Sequence, residues 1–206
     1  MTGTPRDQQS RAAVRSFVAI DLPSALRDRL GELVARLSSR IPPGTVRWVR
    51  PEGIHLTLRF LGELSTGSLT QVRDLLERVS QTHGPFSIRV GGLGCFPTPR
   101  RPRVIWVGVE EPSGRLAGLQ QALEAQFERI GYRREGREFS PHLTLGRLRD
   151  EIGAAAAQAA GASLSFEPSL DLGTVHVASV CLFRSDLRPT GAVYTRLAEI
   201  ALRGER

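Results

Sequence analysis

At 206 residues and 40 % hydrophobic composition, the chain is long enough to bury an ample core, as one compact domain or two small lobes. Its 28 basic residues against 21 acidic ones leave a formal charge of +7, which points to an anionic partner such as RNA or a phosphorylated ligand. No stretch nears the ~18 consecutive apolar residues of a membrane span, and residues 1–14 lack the apolar run of a signal peptide. A cytoplasmic protein is expected, with a frayed polar tail (1–14) ahead of a single domain (15–206). All the basic residues are Arg, as a GC-rich coding sequence gives, so the sign of the charge carries weight and the choice of Arg does not. Cys95 and Cys181 stand alone, without a C-x-x-C partner, and read as reduced and buried.

In chain order, Arg15–Asp21 reads as a strand closed by Leu22-Pro23. Ser24–Arg40 has helical periodicity through Leu26, Leu30, Leu33, Val34 and Leu37, and Ile41-Pro42-Pro43-Gly44 stops it. Val46–Arg50 and Ile54–Leu61 are strands, followed by a helix from about Thr66 to Thr82. Phe86–Leu93 and Arg103–Val109 are strands around a Pro/Gly/Arg-rich loop, Gly94–Pro102, and a helix covers about Ser113 to Ile130. A strand spans about Ser140–Leu148, Ile152–Ala160 is a short Ala-rich helix, and Leu164–Leu172, Val175–Phe183 and Ala192–Ala198 complete the strands. This mixed order predicts an α+β fold.

The sequence H-L-T-L occurs twice, at His55–Leu58 and His142–Leu145, 87 residues apart, in a chain with four histidines. In a strand, residues i and i+2 share a face, so each copy presents one imidazole and one hydroxyl, with two leucines packed behind. The repetition, each copy followed by a helical segment, predicts two similar lobes with pseudo-two-fold symmetry. Two histidines across a cleft suit a reaction that removes a proton at one end and delivers one at the other, as in displacement at phosphorus. Thr57 and Thr144 would bond the non-bridging oxygens, where charge builds up. With ordinary imidazole values, such a pair centres a bell-shaped pH profile around pH 6–8. Strict alternation carries Arg59 onto the cleft face beside His55 and Thr57. It turns Arg147 away from His142 and Thr144, unless a bulge at Gly146 redirects it. A lone histidine on a strand is ordinarily a packed or surface residue, which is the reading for His83 and His176. Zinc needs three or four protein ligands and neither motif supplies a Cys, Asp or Glu at ligand spacing, so no metal is expected. Gly91-Gly92-Leu93-Gly94 is too short for a phosphate-binding P-loop and lacks its Lys-Ser/Thr.

With these motifs stand the segments R-S-F-V-A-I-D-L-P (15–23), V-R-W-V-R-P-E-G-I-H-L-T-L-R-F-L-G-E (46–63), R-V-I-W-V-G-V (103–109), F-S-P-H-L-T-L-G-R (139–147) and S-D-L-R-P-T-G-A-V-Y (185–194). On them the chain resembles the two-histidine (2H) phosphoesterases, specifically the bacterial RNA 2′,3′-cyclic phosphodiesterases, also called 2′-5′ RNA ligases, over nearly all of residues 15–200. The resemblance implies a bilobal fold with two mainly antiparallel sheets lining a central cleft and helices outside. It implies metal-independent hydrolysis of RNA 2′,3′-cyclic phosphate ends, or of cyclic nucleotides, to 2′-phosphates without a cofactor. By position in the motifs, His55 corresponds to the general acid that protonates O3′ and His142 to the base that activates water. Thr57, Thr144 and Arg147 correspond to phosphate-contacting positions, which favours Arg147 over Arg59. Phe60 corresponds to a residue packed beneath the site or set near a base. Two other activities stay open: 2′-5′ ligation, which is the reverse reaction, and non-catalytic binding of RNA ends. A monomer is expected.

Overall fold

Strand β1 (Val14–Ile20) opens the computed structural model, which describes residues 13–167, 169–188 and 191–204. The polar tail expected over residues 1–14 falls outside the described residues up to residue 12, and Val14 already belongs to β1. Helix α1 (Ser24–Ser38) forms where Leu26, Leu30, Leu33 and Leu37 recur at helical spacing, and all four are buried. Helix α2 (Thr66–Gln81) starts at Ser65, whose hydroxyl accepts from the Ser68 amide at 3.2 Å and so satisfies one of the free amides of the first turn. It buries Val72, Leu75, Leu76 and Val79. Helix α3 (Arg115–Arg129) buries Leu116, Leu119, Leu123 and Phe127. Helix α4 (Ala154–Ala162) runs on into a 3-10 turn at Ser163–Phe166.

The remaining strands are β2 (Val46–Trp48), β3 (Leu56–Leu64), β4 (Phe86–Thr98), β5 (Arg101–Glu110), β6 (His142–Leu148), β7 (Asp171–Val177), β8 (Ser179–Arg188) and β9 (Gly191–Ala201). Among the described residues every pairing is antiparallel, in the order β7-β4-β5-β6-β3-β1-β8-β9, with β2 paired to β6. Each half of this order holds four strands with a motif strand innermost. The halves meet where Leu56 pairs with Leu143. These are the second residues of the two H-L-T-L copies, so a local two-fold axis passes between them. The two expected sheets are therefore joined edge to edge into one curled sheet. One apolar core fills its helix-covered face and takes Val18, Leu58, Leu76, Ile105, Phe127 and Leu145 from both halves. On the opposite face, Phe17, Ala19, Cys181 and Phe183 form a second, smaller buried cluster. Among the described residues no helix is long and apolar enough to cross a membrane.

Three expectations need correction. Gly94–Pro102 is not a loop: β4 continues to Thr98 and β5 begins at Arg101, leaving a turn at Pro99-Arg100. Gly94 sits inside the strand because the Trp106 ring lies over it; a Cβ there would be 2.3 Å from that ring. Leu164–Leu172 is strand only at its end, where Asp171 and Leu172 begin β7; Leu164 is buried within the 3-10 turn and Arg40 lies over the Phe166 ring, so these two apolar residues close the end of α4. Val175–Phe183 is two strands. The chain breaks at Ala178, where it leaves β4's side of the sheet (β7) for β1's side (β8), and a mostly apolar run without Gly or Pro hides that crossing.

Candidate active site

Strands β2 and β3 run in the same direction along one edge of β6. The pairs are Val46↔Leu148, Arg47↔Arg147 and Trp48↔Gly146, then Leu56↔Leu143. A 3-10 turn at Pro51–Gly53 lies between them and offers the Gly53 carbonyl to His55 Nδ1 at 2.8 Å. The second copy repeats this, with the Ser140 carbonyl 2.7 Å from His142 Nδ1. A carbonyl only accepts, so Nδ1 carries the proton in both rings and Nε2 is left free for chemistry.

The two-fold relation brings the motifs together. Continuing the β3/β6 register one residue either side of Leu56↔Leu143 sets His55 opposite Thr144 and Thr57 opposite His142. All four are partly exposed on one face, while Leu56, Leu58, Leu143 and Leu145 are buried behind them. Standard ladder spacings place the two histidine Cα atoms on the order of 8–9 Å apart.

Aromatic rings fix each imidazole. Phe17 stacks on His55 with centroids 4.5 Å apart, and Tyr194 meets it edge-on at 5.0 Å. Phe96 meets His142 edge-on at 5.0 Å, and Trp106 lies at 6.3 Å. Burial among these rings drives the His55 pKa down to about 4, with the Gly53 hydrogen bond and Asp21 offsetting part of the effect and Arg27 adding to it. Burial also lowers His142, against the Ser140 hydrogen bond and with help from the charge of Arg147. Both rings are neutral at neutral pH in the free protein.

Beyond Thr57 the alternation fails, and Arg59 is not on the cleft face. Val18 pairs with Arg59 and Ala19 with Thr57, so Leu58 is a bulge that turns Leu58 and Arg59 together into the core. There Arg59, 3 % exposed, donates to Glu124 Oε1 at 2.6 Å and to the Arg133 carbonyl. The second motif has the same bulge. Ile105 pairs with Gly146 and Trp106 with Thr144, which leaves Leu145 and Gly146 buried and returns Arg147 to the cleft face. Gly146 is required there, because a Cβ would lie 2.5 Å from Val46 and 2.9 Å from Trp48. The two bulges make Phe60 the two-fold counterpart of Arg147, and Phe60 is exposed on the cleft face, 53 % accessible. The charge of Arg147 acts on both His142 and Tyr194, so it stands between the lobes.

His83 caps α2 through the Val79 carbonyl at 2.9 Å and His176 is exposed on β7, outside the site as expected. Cys95 and Cys181 are free and buried. Among the described residues no three His, Cys, Asp or Glu side chains cluster as metal ligands do. The sequence reading missed Phe17, Tyr194, Phe96 and Trp106 as the rings that hold the histidines. Phe17, Trp106 and Tyr194 lie in the segments 15–23, 103–109 and 185–194 that carry the family resemblance, and that was the available signal.

The chain is similar to known proteins in sequence and in fold. An RNA 2′,3′-cyclic phosphodiesterase of Methanothermobacter thermautotrophicus is 36 % identical over 188 residues, covering 88 % of this chain and 95 % of that protein. One from Thermus thermophilus is 34 % identical over 198 residues, covering 93 % and 92 %. The crystal structure of Thermus thermophilus TT0787 superposes with a TM-score of 0.77 at 31 % identity, covering 93 % of this chain and 100 % of that one. Escherichia coli LigT complexed with 3′-AMP gives 0.73 at 28 % identity, covering 92 % and 98 %. The family model of the 2′-5′ RNA ligase superfamily matches residues 22–188. With paired H-L-T-L strands meeting on a two-fold axis and relatives of this extent, the chain belongs to the 2′-5′ RNA ligase superfamily.

Proposed function

We propose that this protein hydrolyses the 2′,3′-cyclic phosphate at RNA 3′ ends to a 2′-phosphate, with His55 and His142 as its acid–base pair. The supporting observation is the pair of carbonyl-anchored imidazoles, each opposite the other motif's threonine. His142, neutral at rest, takes a proton on Nε2 from water, which attacks phosphorus in line with O3′. The P–O3′ bond breaks and His55 delivers its Nε2 proton to O3′, leaving the 2′-monoester. Thr57 and Thr144 donate their hydroxyls to the non-bridging oxygens, and the Arg147 guanidinium offsets the charge that accumulates there. His55 is neutral in the free protein, so it takes up its proton as the anionic substrate arrives; the phosphate raises its pKa against the desolvation that lowers it. Phe60 offers an exposed ring beyond Thr57 and His142, at the opposite end of this face from Arg147.

The test is an oligonucleotide ending in a 2′,3′-cyclic phosphate, incubated with the protein in EDTA, with the product phosphate located. A 2′-phosphate supports the proposal. A 3′-phosphate reverses the leaving group, and binding without turnover makes the protein an RNA-end binder.

A further inference from the structure

Arg47 and Arg147 are direct partners across the β2/β6 ladder. Directly opposed residues of an antiparallel pair project from the same face, with Cβ atoms roughly 5 Å apart, and like charges placed so repel. Val46 and Trp48 point to the other face, against Gly146, which leaves Arg47 outward and exposed. The exposed arginines 36, 73, 89, 103, 134, 184 and 196 each hold a carboxylate within 4.0 Å, whereas others such as Arg50, Arg78 and Arg149 hold none among the described residues, so it is direct opposition that sets the Arg47–Arg147 pair apart. Among the described residues neither Arg47 nor Arg147 forms such a pair. Two opposed guanidiniums with no counter-charge are unfavourable in the free protein and become favourable when an anion lies between them.

Their place along the cleft says which anion. In backbone position, the face runs from Thr57 and His142, across the two-fold axis, to His55 and Thr144, and then to Arg47 and Arg147. The arginine pair thus lies beyond His55. With His55 protonating O3′, the terminal nucleoside lies on that side, and its 5′-phosphodiester leads outward past the pair. We infer that Arg47 binds the internucleotide phosphate next to the reacting one, so that this edge of β2 distinguishes an RNA chain from a cyclic mononucleotide. The inference rests on the acid role proposed for His55.

The experiment compares wild type, Arg47→Ala and Arg47→Lys on two substrates, a short oligonucleotide with a 2′,3′-cyclic phosphate end and a 2′,3′-cyclic mononucleotide. Arg47→Ala is expected to raise KM for the oligonucleotide about 5- to 20-fold at unchanged kcat, the scale of one charge-assisted phosphate contact, and to shift KM for the mononucleotide less than twofold. Arg47→Lys recovers part of the loss. The dependence of oligonucleotide binding on salt becomes shallower by about 0.7 in log–log slope. Binding of the 2′-phosphate oligonucleotide product, followed by fluorescence anisotropy, gives the same comparison without turnover. An inactive wild type therefore overturns the hydrolase reading and leaves this test in place. Equal effects on both ligands, or none on either, overturn the role of Arg47.

Discussion

Replacing Arg59 by Ala should destabilise the protein strongly and disturb catalysis little. Arg59 is 3 % exposed and Glu124 9 % exposed. Glu124 accepts from Arg59 at 2.6 Å, from Gln120 at 3.4 Å and from the Glu135 amide at 3.3 Å. Removing the guanidinium leaves a buried carboxylate without its counter-charge and the Arg133 carbonyl without its donor. Losing one partner of a buried ion pair costs about 3–5 kcal/mol. For a chain of this size that is a fall in Tm of roughly 6–20 °C. The paired change Arg59→Met with Glu124→Gln, which removes both charges, should recover most of it. Thermal unfolding with each variant, alongside kcat/KM on a cyclic-phosphate substrate below the transition, makes the measurement. A variant that keeps the wild-type Tm while losing kcat/KM would put Arg59 in the cleft and refute the bulge at Leu58.

Other outcomes follow from the same geometry. His55→Ala and His142→Ala should each lower turnover at least ~100-fold while Tm stays near wild type, and normal turnover in either would remove that histidine from the mechanism. Dialysis against a chelator should leave activity unchanged; activity lost there and restored by zinc or manganese would contradict proton transfer between two imidazoles. Gly94→Ala forces the Trp106 ring off β4 and should reduce kcat through His142, a prediction that fails if kcat is unaffected in a folded variant.

Much of this site was legible in the sequence because its two halves repeat. The H-L-T-L spacing fixed which residues share the cleft face, and the leucines carry no alternative role. What stayed hidden lies in a bulge and a crossing that side-chain order does not mark. Leu58 and Leu145 each add a residue to one strand, and the sequence alone put Arg59 where Phe60 stands. A bulge at Gly146 was foreseeable from the glycine, whereas Leu58 offers no such mark. The break at Ala178 and the long β4–β5 hairpin are likewise set by tertiary pairing, which overrides an apolar run in one case and a Pro/Gly-rich stretch in the other. The aromatic rings around the histidines come from β1, β4, β5 and β9, too distant in sequence for any local pattern to unite them.

The pH dependence of kcat/KM tests the paired-histidine mechanism most directly, because it reports the free protein's acid and base. Ordinary imidazoles would centre the bell around pH 6–8. Burial lowers both groups, His55 to about 4 and His142 below its usual 6.5, so the bell should sit on the acid side of pH 6.5. A lowered pKa means the proton is released earlier as pH rises. The productive form, with His55 protonated and His142 neutral, is then most populated between the two lowered values and is lost above both and below both. The residual activity of His55→Ala should lack the alkaline limb, and that of His142→Ala the acidic limb. Interchanged limbs would exchange the roles of the two histidines. A wild-type profile flat from pH 4 to 8, or a bell that survives in both variants, would contradict acid–base catalysis by this pair.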